Sequence, residues 1–323
     1  MKRRSFLKLA PGASVCGLMP RLARAETYPA RQVRVLVGTT AGGGMDIAGR
    51  IIAAALTERL GRQFFVEDRP GAGTNLATEL VIRSAPDGYT LLLVSAANAI
   101  NATLYKNLAF NFIRDTAPIA TVARAPQVME VHPSVPAKTV AEFIAYAKAN
   151  PHKINMASAG NGSVQQVAGE LFKMMAGVKM VHVPYKGAGA ALVDLLAGQM
   201  QVMFDTTPGS IPHIKAGRLR ALAVTTTSRI DVLPDLPPIA DFVPGYEASQ
   251  WYGLIAAKDT PTDVIVKLNQ EVNAALAAPK MKARLADFGG VPFSSSPQGF
   301  RNFIVAETDK WAKVVKFSGA TID

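Results

Sequence analysis

The stretch GTTAGGGMDIAGR, Gly38 to Arg50, decides how the chain is read. It is preceded by QVRVLVG, Gln32 to Gly38, a short apolar and β-branched run that reads as a buried strand. After the glycines, Ile47, Ile51, Ile52, Ala55, Leu56 and Leu60 fall on one face of a helix, which Gly61 ends. Strand, glycine turn and helix in that order begin a βαβ unit. The turn leaves backbone amides free at the helix start, where partial positive charge favours an anion such as a carboxylate.

The same order recurs along the chain. FFVEDR reads as a second strand, PGAGTN as a turn, Leu76 to Ser84 as a helix and YTLLLVSA as a third strand. The pattern restarts with the strand KINMAS, the turn AGNG and the helix Val164 to Met175, whose apolar face is Val167, Ala168, Leu171 and Met175. KMVHVPY, AGAALVDLLAG, QVMFD and LRALAVTT continue the alternation. This predicts an α/β fold with mostly parallel sheets in two lobes. The extended segments Pro118 to His132 and SQWYGLIAA, Ser249 to Ala257, are the natural crossings between them. One lobe is expected over 26–124 and 248–323, the other over 125–247, with a cleft at the hinge of two crossing strands.

Residues 1–25 are expected to be removed on export and to be no part of the fold. Arg3 and Arg4 precede Phe6 and Leu7, a weakly apolar stretch follows to Met19, and Ala23-Arg24-Ala25 offers a small-x-small cleavage site. This order matches a twin-arginine export signal, which predicts a soluble periplasmic product. Its removal takes six of the 35 basic residues, leaving 29 against 24 acidic ones. A net charge near +5 instead of +11 gives little support for a nucleic-acid partner. The only cysteine, Cys16, also leaves, so no disulfide is expected. The uncharged run Gly88 to Tyr105 is broken by Thr90, Ser95, Asn98, Asn101 and Thr103, and no other segment reads as membrane-spanning.

Catalytic patterns are weak. In MASAG, Met156 stands where a nucleophile elbow needs its first glycine. His132, His152, His182 and His213 are far apart and form no metal-ligand pair, so each reads as a surface or packed histidine. Neither dinucleotide nor P-loop signatures occur. No cofactor, no metal and no catalytic residue are therefore expected.

Four turn-to-helix junctions remain: AGGGMD, PGAGTN, AGNGSVQQ and YKGAGA. AGGGMD and AGNGSVQQ lie in different lobes, so one anion can bridge them. Thr39, Thr40, Ser158, Asn161, Ser163 and Gln166 add uncharged hydrogen-bonding groups beside these loops. With Ala41, Gly43, Gly44, Gly162, Ser95, Asp205 and Thr206 they form the candidate ligand set. Asp46 reads as the cap of the helix at the first loop.

GGGMDIAGRIIAAAL, EDRPGAGTNLATELVIRSAPDGYTLLL, SAGNGSVQQVAGELF, VHVPYKGAGAALVDLLAGQ, FDTTPGSIPHIKAGRLRALAVT and WYGLIAAKDTP together resemble the Bug family, the solute-binding proteins of tripartite tricarboxylate transporters. The resemblance covers nearly all of the chain after residue 25. It implies a type II Venus-flytrap fold, capture of a small organic carboxylate, and delivery to a membrane permease of one large and one small subunit. A di- or tricarboxylate, an acidic amino acid or an aromatic acid fits that expectation, with the receptor a monomer. The family's two ligand loops fall on Gly38 to Asp46 and Ser158 to Gln166, and Asp205 and Thr206 match a position that commonly faces the cleft. Here Val37 to Gly43 lacks the family's usual prolines and aromatic residue, Gln166 replaces a usual histidine, and Thr74 replaces a usual glycine. An exported enzyme acting on a small carboxylate and a sensory binding protein docking on a membrane kinase remain the alternative readings.

Overall fold

The computed structural model describes residues 28–322, apart from the side chain at position 208. The expected export segment lies outside the described residues. The first lobe opens with β1 (Val33–Val37), α1 (Gly44–Leu60), β2 (Phe64–Asp68), α2 (Asn75–Ile82), β3 (Thr90–Ser95) and α3 (Ala96–Leu104). β1 is apolar and β-branched because helices cover both of its faces, and it pairs in parallel with β2 and β3. α1 ends where Gly61 takes a left-handed conformation and donates its N–H to Thr57 O.

The buried face of α1 is rotated from the expected one. Met45, Ala48, Gly49, Ile52, Ala53 and Leu56 face the sheet, whereas Ile47 is 39% exposed. Gly49 is the cause: a Cβ there would stand 3.0 Å from Val37 Cγ2, so its absence lets the helix settle with that side against β1.

β4 (Thr116–Ala125) then leads through Pro126 into β5 (Gln127–Val131), carrying the chain into the second lobe. That lobe contains α4 (Val140–Ala149), β6 (Asn155–Ser158), α5 (Val164–Ala176), β7 (Val181–Pro184), α6 (Ala188–Leu196), β8 (Val202–Thr206), α7 (Thr207–Lys215) and β9 (Arg220–Val224). The chain returns in β10 (Gln250–Ala257) and finishes with α8 (Thr262–Ala277), α9 (Pro279–Asp287), β11 (Val291–Pro292) and α10 (Pro297–Ser318).

The sheets run in the orders β11-β4-β10-β3-β1-β2 and β7-β6-β8-β5-β9. Parallel pairing holds inside the βαβ units, β1 with β2 and β3, and β6 with β7 and β8. The strands next to the crossings pair antiparallel: β10 with β3 and β4, and β5 with β8 and β9. Both sheets are therefore mixed, because a strand entering a lobe and one leaving it run in opposite directions.

Two devices join the lobes. At the crossings, Gln127 N–H donates to Thr225 Oγ1 (3.0 Å) and Thr225 N–H to Gln127 O (2.9 Å), fastening the outgoing strand to the return path. Across the molecule, α10 packs on α3 of one lobe and α5 of the other. The buried carboxylate of Glu307 on α10 accepts both indole N–H groups of Trp251 (2.8 Å) and Trp311 (3.0 Å), tying α10 to the start of β10.

Candidate functional site

The loop between β1 and α1 is shaped by its own first turn. Gly43 is the N-cap of α1 and offers no side chain to cap it. Asp46 is the third helical residue, and its Oδ2 turns back to accept the N–H of Gly42 at 2.8 Å. That position needs glycine, since Gly42 has φ +81°. Asp46 is also ion-paired through Oδ1 to Arg50 Nε at 2.7 Å, and Arg50 reaches Asp68 Oδ2 at 3.2 Å. Burial alone would push the Asp46 carboxyl up, but the hydrogen bonds from Arg50 and Gly42 outweigh it and hold the group below the usual carboxylate range. Asp68 is pushed up by burial and by the Asp46 charge. Thr40, Ala41 and Gly44 are exposed, Gly43 and Thr39 half-buried, and the hydroxyl of Thr39 is buried without a partner.

The second loop is organised around a histidine. Gly162 N–H donates to Gln166 Oε1 (2.7 Å), which fixes the amide so that Gln166 Nε2 donates to His182 Nδ1 (3.3 Å). The other ring nitrogen is then the donor to Ser158 Oγ at 2.6 Å. Ser158 also accepts the N–H of Gly160 at 3.1 Å. Burial, with a smaller contribution from the charge of Lys173, lowers His182 to about 4, so the ring is neutral at ordinary pH. Ser163 caps α5 by accepting Gln166 N–H at 3.2 Å. Gly162, at φ +78°, lies so close to α3 that a Cβ there would stand 2.6 Å from Leu104 Cδ2. Asn161 is exposed beside it.

The end of β8 carries a buried acid pair. Asp205 Oδ1 accepts Thr206 N–H at 2.7 Å and Gln165 Nε2–H at 3.5 Å. Ser210 on α7 donates to Glu130 Oε1 at 2.9 Å and lies 3.4 Å from Asp205 Oδ2. Glu130 is fully buried, and its Oε2 has no hydrogen-bond partner. Burial, and then the Asp205 charge, push Glu130 up to about 8; burial likewise raises Asp205.

Thr206 is the N-cap of α7 and, like Gly43, gives no side-chain cap. Thr206 and Gly44 line the same groove, together with Ile47, Arg50 and Ile51 of α1 and Arg284, Asp287 and Phe288 at the end of α9, enclosing about 730 Å³. Thr207 Oγ1 approaches Gly289 O at 3.5 Å on its rim, so the lobes meet there. The structure therefore brings the first loop to the end of β8 directly. The second loop reaches Asp205 through Gln165. Ser158, Ser163 and Gln166 have side chains committed to protein partners. So does Ser95, whose Oγ accepts Ala97 N–H while Asn98 Oδ1 accepts Ser95 N–H as the capping box of α3.

Sequence reasoning did not single out Glu130, Gln165, Ser210, Arg284 or Phe288. A lone acid inside the apolar strand QVMEV was the available signal for Glu130. His182 read as a surface or packed histidine; it is half-buried, and its ring braces the loop. Among the described residues, no group of three or more His, Cys, Asp or Glu could hold a metal ion, and no helix is long and apolar enough to cross a membrane.

Two α/β lobes joined by paired crossings, with one uncapped helix start from each lobe opening on a shared groove, define a solute-binding protein. A profile of the tripartite tricarboxylate transporter family receptor matches residues 48–319, and the chain belongs to that family. It is a family of binding receptors, not of enzymes. The chain is 34% identical to the protein BugT of Bordetella pertussis, with 92% of each sequence covered. Its fold is similar to that of an R. palustris protein solved with adipate (TM-score 0.78, 36% identity, 90% of this chain and 98% of that one). It is also similar to MatC of Rhodopseudomonas palustris solved with bound malate (TM-score 0.74, 30% identity, 89% and 100% covered).

Proposed function

We propose that the chain is a periplasmic receptor, exported by the twin-arginine route, that captures a small organic carboxylate between its lobes. It then delivers the solute to a membrane permease of one large and one small subunit. The observation that carries this reading is the convergence of Gly44 at the head of α1 and Thr206 at the head of α7 on one groove, neither helix having a side-chain cap. The first-turn amides of α1 attract an anion, whereas α7, whose Thr206 and Thr207 N–H groups go to Asp205 and Pro126, offers the Thr206 side chain; an anion touching both lobes has differential affinity for the closed state. The lobe of residues 26–124 and 248–323 closes on that of 125–247. The candidate contacts are the backbone of Gly43 and Gly44 with Thr39, Thr40 and Ala41 on one side. On the other are Thr206 and the backbone of Asn161, in the turn that Gly162 shapes by donating its N–H to Gln166. Ser95, Ser158, Ser163, Gln166 and Asp205 hold these contacts in place. The relatives solved with adipate and malate support a carboxylate solute.

Calorimetric titration of the purified protein with a panel of carboxylates and the matching amides tests this reading. Saturable binding of a carboxylate, lost with its amide and without consumption of the solute, is the expected result. Equal binding of acid and amide, or turnover, would overturn it.

A further inference from the structure

The groove is larger and more apolar than an anion site needs, and its far end carries an unused cation. Because Gly49 turns α1 inward, Ile47 is left 39% exposed and Ile51 half-buried on the side facing α9. The ring of Phe288 follows α9 and packs on Tyr252 with centroids 5.7 Å apart. A Cβ built at Gly44 would lie 3.6 Å from that ring, so the aromatic floor begins where the first-loop amides end. Arg50, one of the two cations in the groove, is already paired with Asp46 and Asp68. The guanidinium of the other, Arg284, has no hydrogen bond or ion pair among the described residues. A volume of about 730 Å³ lies in the range of pockets that enclose drug-sized ligands, well beyond a four-carbon acid.

Resting on the solute-binding reading above, we propose that the α1–α9 groove is a distal solute subsite. In it Ile47, Ile51 and Phe288 cover the apolar body of a dianion, and Arg284 pairs with its second carboxylate. The class of solute is a dicarboxylate with a long aliphatic chain or an aromatic ring between its acidic groups. Charge complementarity and continuity with Gly44 and Thr206 favour this occupant over a segment of another protein. Asp287, three residues beyond Arg284 in the same groove, opposes the second carboxylate and restricts where it can sit. Arg284 and Asp287 are both exposed, so replacing them leaves the core intact.

The test is calorimetric titration of the wild type, Arg284→Ala and Asp287→Asn with adipate, suberate and terephthalate, each against hexanoate, octanoate or benzoate as the matched monoacid. Unchanged melting temperatures confirm folding. The wild type is expected to prefer diacid to monoacid. Arg284→Ala is expected to lose about three- to ten-fold in affinity for the diacid and none for the monoacid, as a partly solvated charge-assisted contact predicts. Asp287→Asn is expected to tighten the diacid. Wild-type binding that Arg284→Ala leaves unchanged, or weakens equally for diacid and monoacid, would overturn the subsite alone and leave the groove to a docking partner. A wild type that binds no carboxylate overturns the subsite and the receptor reading together.

Discussion

Glu130→Gln is expected to stabilise the protein, by an amount that grows with pH. Glu130 is fully buried beside Asp205, faces no compensating cation in its hydrogen bonds, and shares the hydroxyl of Ser210 with that second acid. Its carboxyl is raised from 4.5 to about 8, so the folded chain keeps a proton that the unfolded chain releases above pH 4.5. The sign follows: stability is fully present below pH 4.5 and is lost as the pH rises towards 8. At pH 7 the loss spans roughly 2.5 pH units at about 1.4 kcal/mol each, a cost on the order of 3 kcal/mol. Glutamine keeps the shape and the oxygen that accepts from Ser210, and it has no proton to release. Urea denaturation of both proteins at pH 4.5, 6, 7 and 8 measures the difference. The two curves should meet near pH 4.5 and separate by about 3 kcal/mol at pH 7. Because the acids are coupled, Asp205 broadens the transition without reversing it. Parallel curves, or a variant less stable at pH 8 than the wild type, would refute the argument that Glu130 is held neutral by burial.

The remaining expectations concern the two other networks. His182 is lowered from 6.5 to about 4 and is neutral when folded, so the unfolded chain takes up its proton first. Stability should fall between pH 6.5 and 4, by on the order of 2 kcal/mol after discounting for partial exposure, and His182→Gln should flatten that limb in the same denaturation series. Glu307→Ala would leave the indole N–H groups of Trp251 and Trp311 and the ammonium of Lys310 without their shared carboxylate. A loss of about 3–5 kcal/mol is expected in chemical denaturation, and an unchanged midpoint would sink the idea that Glu307 anchors α10.

The βαβ units were legible because each of their elements follows from residues a few positions apart. β1, β2, β3, β6 and β8 fall within a residue or two of their apolar runs, and Gly61 and Gly177 end α1 and α5 as left-handed glycines do. The face of α1 was misjudged because periodicity weighs side-chain hydrophobicity, whereas the packing against Val37 is set by the absence of a side chain at Gly49. α3 was not read because AANAINATL continues the small, apolar run of β3, and only the Ser95–Asn98 capping box marks the change. α8, α9 and α10 were likewise not read, although Pro279 and Pro297 stand at the first positions of α9 and α10, where proline is preferred. Within the site, the loops that face the groove could be named, but what their side chains do could not. The partner of Ser158 and Gln166 is His182 on another strand, and the far wall of the groove comes from α9, over two hundred positions beyond α1. Such pairings depend on which elements the fold makes neighbours.

The clasp of Gln127 with Thr225 marks where the lobes are joined, and any rotation about a junction gives each part of the body its own lever arm. Thr206 is paired in register with Gln127, and the next residue, Thr207, donates its N–H to Pro126 O, so this edge of the site lies almost on the axis. Any rotation of the second lobe about the crossings displaces a point in proportion to its distance from that axis. The head of α7 consequently travels little, whatever the angle.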